Sequence, residues 1–218
     1  MTKGGVRVNV GCGQTTTPGW INYDNSPSIR LAKHPYLVRL LKGLGLLQEA
    51  QLGFIRFARH ASIHYADATR RIPLPTGAAE VLYASHMLEH LDRVKAREFL
   101  REAMRVLSPG GTLRLSVPDL KIQVERYLNH QDADAFLDGA YLDLEKPHGL
   151  KGRLAFLLFG GRQHQWIYDG ESLSRLLTEA GFDRPEIMPA GKTRIPSPGG
   201  LNLREREEES VYVEALRP

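Results

Sequence analysis

The run Val8-Asn9-Val10-Gly11-Cys12-Gly13 constrains this chain more than any other stretch. A short β-branched segment breaks into Gly-Cys-Gly, the pattern of a buried strand that ends in a turn. Glycine reaches backbone conformations closed to other residues and leaves no side chain between the backbone and a ligand. In open α/β sheets, ligands bind just outside the carboxyl ends of the strands. Taken alone, the run fits a structural turn as well as a binding turn.

Four further stretches follow the same design. Trp20-Ile21-Asn22-Tyr23-Asp24 reads as a second strand closed by an acid, and Tyr65-Ala66-Asp67-Ala68 places another acid after a short apolar stretch. Val81-Leu82-Tyr83-Ala84-Ser85-His86 is a fourth strand with polar residues at its end. Thr112-Leu113-Arg114-Leu115-Ser116-Val117-Pro118-Asp119 is a fifth, preceded by Pro109-Gly110-Gly111. Helical spacing lies between and after them. Residues 92–107 carry Asp92 as a cap and Ala96, Leu100, Ala103 and Leu107 on one face, and Ser108-Pro109-Gly110-Gly111 stops that helix. Residues 170–180 carry Asp169 as cap and Leu173, Leu176, Leu177 and Ala180 as the apolar face, ended by Gly181. Residues 210–216 alternate as a final strand. This order predicts an α/β fold: a three-layer α/β/α sandwich around a mostly parallel, Rossmann-like sheet of about seven strands.

The spacing departs from that plan at one point. Only residues 11–19 separate the first two strands, whereas a parallel crossover usually needs a dozen residues or more. Nine extended residues span roughly 30 Å and a five-residue strand only about 17 Å. A bare loop can therefore return, and the first crossover helix is expected to be missing or reduced to one turn.

The 218 residues fit a single domain, 1–218, with two insertions at about 25–64 and 121–166. Both insertions are too apolar for disorder and are read as covers over the substrate side. The lone cysteine, Cys12, excludes an internal disulfide and a cysteine-based zinc site, and fits a reducing cytoplasm. The first residues lack the apolar core of a signal peptide, and no run of about 18 apolar residues predicts a membrane span. Between Asn25 and Ala66 stand six basic residues and one acid, so this segment is more positive than the whole chain at +4. Three readings stay open for it: a lid whose arginines meet an anionic acceptor, a peripheral membrane-surface contact, or plain packing. Nucleic acid is disfavoured because basic and aromatic residues do not interleave. Nothing in the sequence fixes the oligomeric state.

In this order the five stretches resemble a class I S-adenosylmethionine-dependent methyltransferase. The resemblance covers roughly residues 6–120, with a weaker echo at 164–182. It implies S-adenosyl-L-methionine as cofactor and a mechanism of in-line displacement. Gly11, Cys12 and Gly13 would meet the methionine part, and Asp24 the ribose hydroxyls. Asp67 would accept from the adenine amine, and the Ala68 amide would touch the ring. Ser85 and His86 would line the strand end that faces the cofactor. The family often has an acid where Asn9 stands and a third glycine where Thr15 stands. Asn9 would instead bond the cofactor's ammonium or a nearby loop. The expected acceptor is a small molecule or a glycan-like compound, and a hydroxyl acceptor would need a base, for which His86, Asp119 and His164 are the candidates.

Other readings remain beside this one. The run Ser85-His86-Met87-Leu88-Glu89-His90 contains His-x-x-Glu-His, an inverted zinc-peptidase signature if His86 and His90 share a helix face. The run directly follows a strand, which places His86 in a turn instead, so no metal is expected. His90 then caps or bonds locally. In His164-Gln165-Trp166-Ile167-Tyr168-Asp169, Trp166 either lines the acceptor pocket or is a buried anchor. A nicotinamide oxidoreductase would need a third glycine where Thr16 stands, and Asp24 comes too soon for its acid. A non-catalytic protein that binds S-adenosylmethionine is the remaining alternative.

Overall fold

The structure, a computed structural model, describes residues 5–140, 149 and 163–218. Among these residues, seven strands form one sheet in the order β3-β2-β1-β4-β5-β7-β6. They are β1 Val6–Val10, β2 Ile21–Asp24, β3 His64–Tyr65, β4 Ala79–Ser85, β5 Leu107–Pro118, β6 Asp183–Met188 and β7 Ser210–Leu216. Strands β1 to β5 are parallel, and β7 runs antiparallel to both neighbours. The expected α/β architecture and mostly parallel Rossmann-like sheet are found.

The first crossover carries no helix. Two buried asparagines organise the loop in its place. Asn9 donates to the Thr15 carbonyl and the Thr17 hydroxyl at 3.0 and 3.1 Å. Asn22 accepts from the Thr17 amide at 2.8 Å and donates to the Thr17 and Trp20 carbonyls. These bonds satisfy backbone groups that a helix would have satisfied internally.

One face of the sheet is apolar. Val8, Val10, Leu82, Ala84, Leu113, Leu115, Val211 and Val213 pack there against helices α4 (Arg93–Val106) and α7 (Gly170–Glu179). Both helices are capped as the sequence predicts. Asp92 accepts from the Val94 and Lys95 amides, and Asp169 forms a reciprocal capping box with Ser172. Helix α4 stops at Val106, before Ser108-Pro109-Gly110-Gly111, which bulges out of β5 opposite Glu80. On the middle of the opposite face, Val81 and Tyr83 are covered by Ile195 and Leu201 from the connection between β6 and β7. That connection also holds Arg7, which donates to the Pro196 and Ser197 carbonyls.

The first insertion folds into α1 (Pro27–Leu31), α2 (Pro35–Gly43) and α3 (Glu49–Ala58). Val38, Leu47, Leu52 and Ile55 give it a small core of its own. The second begins with α5 (Leu120–His130) and α6 (Ala133–Gly139). Of the rest of the expected 121–166 cover, residues 141–148 and 150–162 lie outside the described residues.

Candidate active site

The strand register aligns one edge. Val10 pairs with Tyr23 and Ala84, and Ala84 pairs with Leu115. The next residue of each strand, or of the turn it enters, is Gly11, Asp24, Ser85 or Ser116. Strand order reverses at β1, whose two neighbours are β2 and β4, so this edge is the topological switch point where α/β sheets hold ligands.

The glycine turn and Asp24 are joined directly. The Gly13 amide donates to Asp24 Oδ2 at 2.9 Å, and the Ser26 amide donates to Asp24 Oδ1 at 2.7 Å. Gly11 and Gly13 both have positive φ, +65° and +50°. They are glycines for different reasons. A Cβ at Gly11 would lie 2.4 Å from Cγ of Met87, whereas a Cβ at Gly13 would meet nothing within 4 Å. Gly11 therefore lets the β1 and β4 loops touch, and Gly13 leaves open space beside the Asp24 carboxylate. Cys12 is buried, and burial beside Asp24 pushes its thiol up to about 12. Only its backbone is available to a ligand. Thr15 bonds back to the Cys12 carbonyl.

Asp67 closes a tight turn, accepting from the Thr69 amide and hydroxyl through Oδ1, with Arg70 at 3.5 Å from Oδ2. Ala68 is buried next to it. Asn25, Asp67, Thr69, Leu91, Lys95 and Arg101 line an open groove of about 480 Å³, within the size range of small-molecule sites. Asn25, next to Asp24 in the chain, and Asp67 thus both line this groove.

His86 follows β4 with φ +48°, in the turn that the sequence predicts rather than on a helix. Its Nε2 lies 2.9 Å from the Ser210 hydroxyl. Its Nδ1 faces Glu89 Oε1 at 3.3 Å and Arg206 Nη1 at 3.5 Å. The Glu89 carboxylate is 1% exposed, and His164 Nε2 lies 4.0 Å from the same Oε1. Burial holds His164 below the usual histidine range, against the opposing pull of Glu89. His90 bonds the Gln163 carbonyl and meets the His164 ring edge-on at 5.0 Å.

His86 and His90 do not share a helix face, because only Leu88–His90 form a single 3-10 turn. The peptidase arrangement is therefore not formed. Glu89, His90 and His164 do offer ligand atoms within 4.8 Å of one another, enough to hold a metal ion.

Asp119 caps α5 by accepting from the Lys121 amide, and burial raises its carboxyl above the usual range. It sits at the same sheet edge as His86, since Pro118 pairs with Ser210. Trp166 is not the buried anchor considered above: it is 43% exposed, with the Arg93 guanidinium 4.7 Å over its ring. The anchor in that segment is Tyr168, fully buried and bridged to Asp119. The structure thus brings Gly11, Gly13, Asp24, Asp67, Ser85, His86, Asp119 and the buried His164 to one side of the sheet. Sequence reasoning missed Ser210 and Arg206, whose approach to His86 depends on antiparallel β7 and carries no local signal.

A methyltransferase-domain family matches residues 21–184, most of the chain, including Asp24, Asp67, His86, Asp119 and His164. Among solved structures, a SAM-dependent methyltransferase from Thermotoga maritima is 15% identical, with 98% of this chain and 82% of that chain covered and a TM-score of 0.51. One from Methanosarcina mazei is 15% identical, with 100% and 94% covered and a TM-score of 0.51. The citrinin polyketide synthase CMeT domain is 15% identical, with 98% and 46% covered and a TM-score of 0.52. No curated protein sequence matches the chain.

Proposed function

Since the chain belongs to the methyltransferase-domain family, with S-adenosyl-L-methionine as cofactor, we propose that it methylates a small-molecule or glycan-like acceptor. The observation that carries this reading is the Gly13–Asp24 contact at the switch point, with open space where Gly13 lacks a side chain. The residues present fit the cofactor. Asp24 offers carboxylate lone pairs to a ribose diol, Gly11 to Gly13 offer backbone, and Asp67 with Ala68 borders a groove for adenine. When bound, the cofactor supplies an electrophilic methyl group, and the chain's task is to orient the acceptor in line with it.

His86 is the base that the geometry favours. Its Nε2 and the Ser210 hydroxyl share a hydrogen bond at 2.9 Å, and Nδ1 stands 3.3 Å from the buried Glu89 carboxylate; the tautomer protonated at Nδ1 leaves the Nε2 lone pair to accept a proton. A hydroxyl acceptor would take the place of Ser210 at Nε2 and give up its proton there, while Glu89 stabilises the imidazolium. His164, held neutral by burial, and Asp119, with its raised carboxyl, flank this position as secondary candidates.

Calorimetry with S-adenosylhomocysteine and NAD tests the reading. Micromolar affinity for S-adenosylhomocysteine, about −8 kcal/mol, with no heat from NAD supports it. Tight NAD binding with no response to S-adenosylhomocysteine overturns it. Methyl transfer to no member of an acceptor panel, despite tight cofactor binding, would favour a non-catalytic binding protein.

A further inference from the structure

Helix α2 buries one side and leaves the other without a partner. Val38, with half-buried Leu41, packs into the small core against Leu47, Leu52 and Ile55. The opposite side carries Tyr36 at 88%, Leu40 at 58% and Leu44 at 51% exposure. Their spacing of four residues stacks them along one stripe, and Leu37, 42% exposed, borders it. Such a stripe is costly to leave in water and marks a contact surface.

The charges around the stripe decide what it fits. From Asn25 to Gln48 the chain has four cations, Arg30, Lys33, Arg39 and Lys42, and no acid. Arg30 is engaged, with its guanidinium 3.7 Å over the Tyr65 ring. Lys33, Arg39 and Lys42 are exposed. At 100° per residue, Arg39 and Lys42 fall between the apolar stripe and the buried side, along one flank. An apolar stripe edged by lysine and arginine is the design of a helix that lies in the plane of an anionic lipid surface. A protein partner of ordinary mixed charge would leave these cations unmatched.

We infer that α2 docks this chain on anionic membranes, with Tyr36, Leu40 and Leu44 seated among the acyl chains and Lys33, Arg39 and Lys42 at the phosphates. The docking helix joins the fold at a meaningful place. Helix α1 starts three residues after Asp24, and the Arg30–Tyr65 contact ties it to the carboxyl end of β3. The lipid contact is therefore carried by the same sheet edge as the candidate site, although it does not depend on methyl transfer.

The test is co-sedimentation of the full chain with vesicles of pure phosphatidylcholine, or of phosphatidylcholine with about a third phosphatidylglycerol. The expected result is at least about tenfold stronger partitioning onto the anionic vesicles, weakened by added salt. The variant Leu40→Glu/Leu44→Glu should lose about tenfold in partitioning. The variant Arg39→Glu/Lys42→Glu should lose the preference for phosphatidylglycerol. All four positions are exposed, and unchanged S-adenosylhomocysteine affinity with unchanged thermal unfolding would verify folding of each variant. Equal binding to both vesicles, no binding to either, or full binding by the variants overturns the inference. So does light scattering that finds a dimer which Leu40→Glu/Leu44→Glu dissociates without altering vesicle binding; the stripe would then serve a second copy.

Discussion

Arg114 on β5 and Glu214 on β7 are paired directly in register, and their side chains meet at 2.6 Å with neither exposed to solvent. Glu214 also accepts from the Thr193 hydroxyl and the Arg194 amide, so the ion pair fastens the β6–β7 connection to the sheet. Removing one member of a buried pair strands the other charge, at about 3–5 kcal/mol. Glu214→Ala should lower unfolding stability in urea by that amount. A loss under about 1 kcal/mol would mean the pair behaves like a surface contact.

Asp24 serves the glycine turn as well as the proposed ribose contact. Asp24→Ala should weaken S-adenosylhomocysteine binding by about 1.5–3 kcal/mol, roughly 10- to 150-fold. It should also loosen residues 11–13, seen as faster amide exchange at Gly13, because the amide loses its acceptor. Unchanged affinity in calorimetry would reduce Asp24 to a turn residue.

Asp119 combines a useful cap with a burial cost. Asp119→Asn keeps a side-chain acceptor for the Lys121 amide and removes the buried charge, so it should leave stability at pH 7 equal or higher. Asp119→Ala removes the cap and should cost about 0.5–2 kcal/mol. Thermal unfolding of the two variants separates the effects; equal losses would show that the carboxyl charge is not penalised.

His164 gives stability a pH dependence. Its folded pKa lies below the ordinary 6.5 because burial disfavours the charged ring. Below that ordinary value the unfolded chain binds a proton that the folded chain resists. Stability should therefore fall as pH drops through 6.5 toward the lower folded value, and be regained above it. Urea unfolding at pH 5.5 and 7.5 measures this, and His164→Gln should flatten the difference.

Cys12 should be inert. Its thiol is buried and raised to about 12, so almost no thiolate exists at pH 8. Alkylation by iodoacetamide should await unfolding by denaturant. Rapid labelling of the native protein, detected by mass spectrometry, would contradict the inward orientation of the side chain.

Where local pattern and tertiary demand coincide, the sequence is readable. Strands β1, β2, β4 and β5 carry apolar runs that end in the Gly-Cys-Gly turn or in polar residues, and β7 alternates. Helices α4 and α7 advertise both an apolar stripe and an aspartate cap. Strand β6 was not legible: Asp183–Met188 contains Pro185, sits on the sheet edge and is mostly exposed, so no burial pattern marks it. At the site, positions such as Asp24 and His86 follow from strand ends. Ser210 lies 124 residues from His86 in the chain, and Arg114 lies 100 from Glu214. Such pairings arise from the antiparallel return of β7, which leaves no imprint near either residue.

The cover over the Val81–Tyr83 face has a consequence for the order of events in synthesis. Ile195 and Leu201 cover it, the neighbouring Glu214 neutralises Arg114, and Pro18 of the first crossover abuts Gly200. A chain growing from its amino end makes β1, β2, β4 and β5 long before any of these partners exists. The Val81–Tyr83 face, with Arg114 still lacking its carboxylate partner, has to wait until residues 195–214 have been made. That face is then closed through contacts of long sequence separation, which form slowly. A chain cut short after β6 would lack β7, leave β6 without its pairing strand and expose the Val81–Tyr83 face to aggregation.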